Sequence, residues 1–392
     1  MKIAVVHEML VKLGWAEKVV EEMLHMFPDA HLYTLLYDEQ KVWNIFPKSK
    51  IHPSCFTLPS QKRYNLTKKQ KLCLPKMAES VEALDFLNYD VVLISSSGFA
   101  HGALTKPECK TIAYYHAPAR YLWDWTHEYR CELWFHKWIR GYVYGKYLKK
   151  LREWDFIASR RPDILLANSK TTQSRIWKYY RRESEIVFPP IDTKRFQKKI
   201  NGEKLSLKFP FLFHKGKKKD YYIILSALTE FKRLDVAIHN FFQSSDVHLV
   251  IIWEWAQRKE LEELASWKAN ILFVWAQYGD ELVWLVQNSL GLIFPWEEDF
   301  GIVPIEVMAA GKPVFALRKW WLTETVIDGV TGWFFEDPEW GDFTEKFQDF
   351  HTRNIEWVYT ADNCKKQAEK YDRDVFQEKI QELVKTSENS EK

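Results

Sequence analysis

The chain has 392 residues, 46% of them hydrophobic, with Lys+Arg 56 against Asp+Glu 53 for a net charge of +3. That length predicts two domains, the apolar share excludes a disordered chain, and the near-balance of charge excludes a dedicated nucleic-acid binder. The five cysteines (Cys55, Cys73, Cys109, Cys131 and Cys364) are odd in number and form no CxxC pair, so they read as reduced thiols of a cytoplasmic chain rather than a disulfide framework or zinc site. The start, MKIAVVHEML, is too short in its apolar run for a signal core. No stretch approaches the roughly 18–20 apolar residues of a spanning helix. The expectation is a soluble protein.

Short apolar runs alternate with helical periodicity along the chain. Ile3–Val6 predicts a buried strand, and Val19, Val20, Met23, Leu24 and Phe27 then recur at helical spacing. Val91–Ile94, Thr111–Tyr115 and Ile164–Ala167 predict further strands, and Asn168 and Ser169 open a helix over Lys170–Tyr180. The segment 137–161 is basic and aromatic, with Trp138, Tyr142, Lys146, Lys149, Lys150 and Arg152. It reads either as a solvated helix face or as a surface that rests on anionic headgroups. Pro189-Pro190 followed by Ile191-Asp192 interrupts the rhythm, which places a domain boundary near 192.

The alternation then restarts. Strands are predicted at Tyr222–Leu225, Val247–Ile252, Ile271–Val274, Leu290–Pro295 and Val314–Ala316. Helices are predicted between them at Leu234–Phe242, Arg258–Ala265, Asp280–Asn288 and Ile302–Ala310. Fully apolar strands alternating with helices imply parallel sheets covered on both faces. Two doubly wound α/β domains result, with ligands expected outside the carboxyl ends of their strands. The first spans 1–192 and the second 193–370, with a last helical segment from 371.

The densest chemical signal runs from Phe294 to Pro313. A strand ends at Pro295, a loop holds Glu298, and a helix begins near Gly301 with Glu306 in its early turns. Free backbone N–H groups at such a helix start attract anions. A glutamate near a helix N-terminus is also favourable for purely structural reasons.

Glu298-x7-Glu306 within EDFGIVPIEVMAAGKPV resembles the paired-glutamate motif of the family 4 retaining glycosyltransferases, which have the GT-B fold. MKIAVVHEMLVKLGWAEKVVEEM, YYHAPARYLWDWTHEY, LLANSKTTQSRI, VFPPIDTKRF, FKRLDVAI and ETVIDGVTGWFF resemble family segments in the same order. The similarity extends to the O-antigen mannosyltransferase-like subgroup.

The resemblance implies two Rossmann-like domains facing each other across a cleft, with the last helix crossing back to the first. It implies retaining transfer of a hexose, on the subgroup's pattern mannose from GDP-mannose, to a glycan or lipid-linked acceptor in surface polysaccharide synthesis. No metal or other cofactor is implied. Lys232 and the helix start at Gly301, Ile302 and Val303 would meet the leaving diphosphate, with Phe300, Arg233, Gly14 and Trp15 lining the donor site. Glu298 would hold sugar hydroxyls, Glu306 the donor's ribose, and His116 the sugar from the opposite domain. Nucleotide-sugar epimerases share the GT-B arrangement, but the ordered motifs favour transfer. A lipid-linked acceptor would bring the protein to the inner membrane face.

Two departures stand out. Ala227 occupies the place of a family arginine that partners the lysine. Trp15, Trp253, Trp255, Trp275, Trp296, Trp320, Trp321 and Trp333 stand at family glycines. Glycine, at 14 of 392, is about half its ordinary roughly 7% share, while tryptophan reaches 19. Matched loss and gain is what a UGA codon meaning glycine, read instead as tryptophan, would produce. If the tryptophans are genuine, a plugged GT-B scaffold or a carbohydrate-binding protein is the alternative.

Overall fold

In a computed structural model, the structure describes residues 1–42, 44–54, 66–124, 126, 138–214, 217–227, 232–241, 247–254, 258–297, 300–319, 321–336 and 342–386. The chain divides into two compact units: Met1–Pro190 together with the chain from Phe376 on, and Ile191–Val375. No helix among the described residues is long and apolar enough to cross a membrane.

The first unit is built on seven strands: β1 (Ile3–Leu10), β2 (His31–Tyr37), β3 (Ile51–Pro53), β4 (Val91–Ser96), β5 (Lys110–Tyr115), β6 (Ile164–Ala167) and β7 (Glu185–Ile186). Their order is β3-β2-β1-β4-β5-β6-β7, with every neighbouring pair parallel. Strand order reverses direction between β1 and β4, which makes their carboxyl ends the crevice where such sheets take ligands.

Alternate residues of these strands feed two cores. Ala4, Val6, Val92, Ile94 and Tyr115 pack with Leu148, Leu151, Ile176 and Tyr180 on one face. Val5, Leu93 and Tyr114 pack on the other with Val19, Val20 and Met23 of helix Trp15–Met26. That second face is completed from far along the chain. Phe376, Ile380 and Val384, spaced one helical turn apart, place the apolar stripe of helix Arg373–Lys385 in the same core. Phe376 meets Tyr114 edge-on with centroids 5.7 Å apart.

The second unit has a two-stranded ribbon, β8 (Phe213–His214) with β9 (Lys217–Lys218), and a six-stranded sheet. The sheet strands are β10 (Asp220–Ala227), β11 (Val247–Glu254), β12 (Ile271–Trp275), β13 (Gly291–Phe294), β14 (Val314–Leu317) and β15 (Gly332–Phe335). Their order is β12-β11-β10-β13-β14-β15, again all parallel, and the reversal falls between β10 and β13. Lys268 closes one helix of this unit. Its buried Nζ donates to the carbonyls of Ile238, His239 and Phe241 at 2.9, 2.6 and 2.6 Å, satisfying the end of helix Leu234–Asn240.

The structure changes the reading of the tryptophans. Trp255 and Trp320 lie outside the described residues. Trp15 opens a helix, Trp253, Trp275 and Trp333 lie in strands, and Trp296 and Trp321 are buried. Among the described residues, the non-glycine positions with positive φ are Arg181, Arg233 and Trp357. Six of the eight family-glycine positions therefore hold ordinary backbone, and positive φ is no objection to tryptophan there. Trp357, which the sequence does not single out, is the place where that objection applies. It has φ +62° and is 83% exposed. After helix Phe343–Ile355, its N–H donates to Asn354 O and the N–H of Val358 to Arg353 O. That is the two-bond helix ending whose left-handed residue is ordinarily glycine.

Candidate functional site

At the β1–β4 reversal, polar side chains continue strands that are otherwise apolar. His7 of β1 lies in register with Ser95 of β4, and His116 follows the end of β5. The Ser95 hydroxyl sits between two imidazoles, 3.0 Å from His7 Nδ1 and 2.8 Å from His116 Nε2. His7 Nε2 faces Glu17 Oε1 at 3.7 Å, and the other Glu17 oxygen accepts from the Gly14 N–H at 2.8 Å. The backbone of His116 is held as firmly as its ring. Its N–H donates to Ser96 O, and its carbonyl accepts from Asn168 Nδ2 at 2.9 Å and Thr172 Oγ1 at 3.2 Å.

Glu8, next along β1, is buried, and a single oxygen carries five contacts. Its Oε1 accepts from Ser96 Oγ and from the N–H groups of Ser97, Gly98, Phe99 and Ala100 at 2.8–3.1 Å. The turn after β4 is thus folded around an internal carboxylate. Beneath it, buried His101 joins Ser96 Oγ at 3.1 Å and lies 3.4 Å from Asp155 Oδ1.

These environments push the groups apart in protonation. Burial opposes charge on His7, but the neighbouring Glu17 and Glu8 carboxylates outweigh it, and its pKa is raised. Burial likewise opposes charge on Glu8 and Glu17. The charge of His7 with backbone donors for Glu8, and the His7 contact for Glu17, outweigh it, so both are lowered. His116 goes the other way. Burial and the neighbouring His7 charge bring it down to about 4, so it is neutral at physiological pH.

In the second unit, the segments around the β10–β13 reversal hold a cation and an aromatic wall. Lys232 is buried, with Nζ 4.7 Å above the ring of Trp296. Trp296 lies against Phe294 with centroids 3.9 Å apart. Phe300 packs on Trp321 at 5.2 Å. Helix Ile302–Ala309 starts from Gly301, where any Cβ would fall 2.4 Å from the Trp321 ring, so only glycine fits. Ile302 and Glu306 are buried and Val303 is half-buried in that helix. Arg233 takes left-handed backbone at φ +46° and points its guanidinium at Asp235, 3.3 Å away.

The expected residues thus fall into two groups. Gly14, Trp15 and His116 belong to the first unit, where Trp15 is the first residue of its helix with Lys18 Nζ 4.2 Å over the ring. Lys232, Arg233, Phe300, Gly301, Ile302, Val303 and Glu306 belong to the second. Glu298 lies outside the described residues. The sequence reading missed His7, Glu8, Glu17 and Ser95. The signal for His7 and Glu8 was present in β1, where His-Glu follows a buried apolar run without ending it. Among the described residues, no group of three or more His, Cys, Asp or Glu side chains is placed to hold a metal ion.

Residues 208–371 match the family model for glycosyl transferases group 1. Alpha-1,3/1,6-mannosyltransferase ALG2 of Dictyostelium discoideum is 28% identical over 217 residues, 47% of this chain and 51% of its own length. The ALG2 mannosyltransferase of Mus musculus is 23% identical over 248 residues, 57% of this chain and 58% of its own. The chain spans about half the length of these curated relatives. A crystal structure of Anabaena Alr3699/HepE in complex with UDP superposes with a TM-score of 0.71 at 14% identity, covering 98% of this chain and 100% of that one. The shared architecture is that of the GT-B glycosyltransferases.

Proposed function

We propose that this chain, whose residues 208–371 match the family model for glycosyl transferases group 1, is a retaining glycosyltransferase that moves mannose from GDP-mannose to a glycan or lipid-linked acceptor in surface polysaccharide synthesis. The observation that carries this reading is a buried cation, Lys232, beside the β10–β13 reversal, in the same matched domain as the open N–H groups of helix Ile302–Ala309. A departing nucleotide diphosphate gains negative charge, and fixed cations and oriented N–H dipoles stabilise it before any solvent rearranges. Lys232 and Gly301–Val303 supply those groups, with Arg233 near enough in sequence to add a second cation if its Asp235 contact is exchanged. Glu298 and Glu306 would engage hydroxyls of the sugar and the ribose, because a carboxylate beside a diphosphate is otherwise repelled. His116 would meet the sugar. No metal is needed on this scheme, and mannose and GDP rest on the resemblance to mannosyltransferases.

A lipid-linked acceptor would draw the protein to the cytoplasmic membrane face. Lys146, Lys149 and Lys150 are exposed on helix Trp138–Ala158 and would meet anionic headgroups there.

The test is calorimetric titration of GDP-mannose and UDP-glucose into the chain as written and into a variant with glycine at 15, 253, 255, 275, 296, 320, 321 and 333. Binding of GDP-mannose by either supports the reading. Preference for UDP-glucose overturns the donor, and no binding by either moves the scaffold reading ahead. One observation favours that second reading for the chain as written: the ring of Trp296 occupies space within 4.7 Å of Lys232.

A further inference from the structure

His7, Ser95 and Glu17 take no part in the roles above, yet they are joined to His116 by an unbroken line of polar contacts. The direction of each hydrogen bond in that line can be worked out from what its neighbours are able to accept. Glu17 carries an ionised carboxylate, which only accepts, so a proton on His7 Nε2, 3.7 Å from it, is electrostatically favoured. His7 Nδ1 lies 3.3 Å from the Ser95 carbonyl, which also only accepts, and 3.0 Å from the Ser95 hydroxyl. A proton on that nitrogen serves both oxygens, and the Glu8 and Glu17 carboxylates favour the charged ring, so we assign it there. His7 is then an imidazolium, between Glu8 on its own strand and Glu17 on the following helix.

A serine hydroxyl has one proton to give. With His7 donating into Ser95 Oγ, the serine proton is directed at its other neighbour, His116 Nε2, 2.8 Å away. His116 Nε2 is therefore the acceptor, and the single proton of a neutral His116 resides on Nδ1. No hydrogen-bond partner for His116 Nδ1 is seen among the described residues, and the ring is half-buried at the end of β5.

We propose that His7, anchored by Glu17 and acting through Ser95, is a positioning residue that holds His116 in its Nδ1–H form, so that His116 offers an N–H donor to a ligand oxygen and cannot serve as a base there. The raised pKa of His7 and the lowered pKa of His116 agree with this distribution of protons. The inference deepens the proposed function, on which the identity of the ligand oxygen, a hydroxyl of the transferred sugar, depends. The tautomer itself does not depend on it. One further consequence is specific: when His7 loses its proton at higher pH, the line reverses. Ser95 then donates to His7 Nδ1, His116 donates from Nε2, and the donor at Nδ1 is lost.

The experiment is nitrogen NMR on the full chain labelled with 15N-histidine, with the His116 signals assigned by their loss in His116→Gln. At pH 6 the wild-type His116 is expected as the Nδ1–H tautomer, changing towards Nε2–H as His7 titrates. His7→Leu removes the donor at Ser95 and is expected to abolish the Nδ1–H preference. His7→Asn, which keeps an N–H near the same place, is expected to restore it, whereas both substitutions disturb packing alike. An Nε2–H tautomer in the wild type at pH 6, or a His116 tautomer indifferent to His7→Leu, overturns the proposal. In transfer assays, His7→Leu is expected to lower kcat/KM about tenfold through kcat, with His7→Asn recovering most of it. A wild-type chain with the Nδ1–H tautomer and no transfer would fail the enzymatic reading while leaving this one standing.

Discussion

Lys232 Nζ lies 4.7 Å above the indole of Trp296, and both side chains are buried. A cation over an aromatic face gains about 0.5–2 kcal/mol, somewhat less than the roughly 1.5–3 kcal/mol of a charged hydrogen bond to a diphosphate. The pairing therefore defines two opposite substitutions.

Removing the cation should remove the anion. Lys232→Met is expected to weaken GDP or UDP binding about 10- to 100-fold, the worth of one charged hydrogen bond at roughly 1.5–3 kcal/mol. Removing the indole should do the reverse: Trp296→Gly, made with the other glycine reversions, is expected to tighten nucleotide binding. Titration calorimetry reads both. Unchanged affinity in Lys232→Met would take Lys232 out of the donor site.

Glu8 is expected to be among the most costly positions in the first unit. Glu8→Ala leaves four backbone donors and one hydroxyl without their acceptor. A loss above about 3 kcal/mol in urea denaturation is expected, since breaking a buried charged network falls in that range. The pH dependence has a definite sign. The pKa of Glu8 is lowered in the folded protein from an ordinary 4.5, so its contribution is present above that value and is lost as pH falls below it. Melts between pH 7 and pH 3.5 should show a steeper acid-side loss for wild type than for Glu8→Ala.

Trp357 gives the sharpest test of the glycine-codon reading. An L-residue other than glycine in the left-handed region costs about 1–2 kcal/mol, and this exposed side chain has little burial to offset it. Trp357→Gly is expected to raise stability by about 1 kcal/mol. Peptide mass spectrometry on protein from the natural source is expected to find glycine at 357, and at 15 and 296. Trp321 points the same way, since its buried Nε1 makes no hydrogen bond among the described residues, at a cost of about 1–3 kcal/mol. Tryptophan at these positions in the natural protein would end the idea.

Charge reversal at Lys146, Lys149 and Lys150 is expected to reduce sedimentation with anionic liposomes and leave the helix intact, because all three are exposed. Each contributes about 1 kcal/mol near a charged surface. Retained liposome binding would remove helix Trp138–Ala158 from any membrane role.

How far the sequence could be read follows from where its information is local. Ile164–Ala167, Lys170–Tyr180 and Arg258–Ala265 are found at the predicted bounds, because an apolar run or a helical period is complete within each. β1 runs on to Leu10 rather than stopping at Val6, since His7 and Glu8 find their partners on β4 and the strand has no reason to end. β2, HLYTLLY, mixes aromatic and polar residues and offers no continuous apolar run, so pattern alone passes over it. Of the site, the helix start at Ile302 was legible from the loop chemistry before it. The His7–Ser95–His116 line was not, because its members are 88 and 21 residues apart and meet through the order of strands in a sheet. No spacing rule reaches across that order.

The split composition of the first unit has a consequence for synthesis. Its core needs Phe376, Ile380 and Val384, and a ribosome delivers those residues after every residue of the second unit. In the nascent first unit, the face of Val5, Leu93 and Tyr114 is covered by helix Trp15–Met26 but still lacks Phe376, Ile380 and Val384 until Ile191–Val375 has emerged. Completion of the first unit is thus deferred to the end of translation, and the part of its face that awaits the last helix is the surface a chaperone would guard.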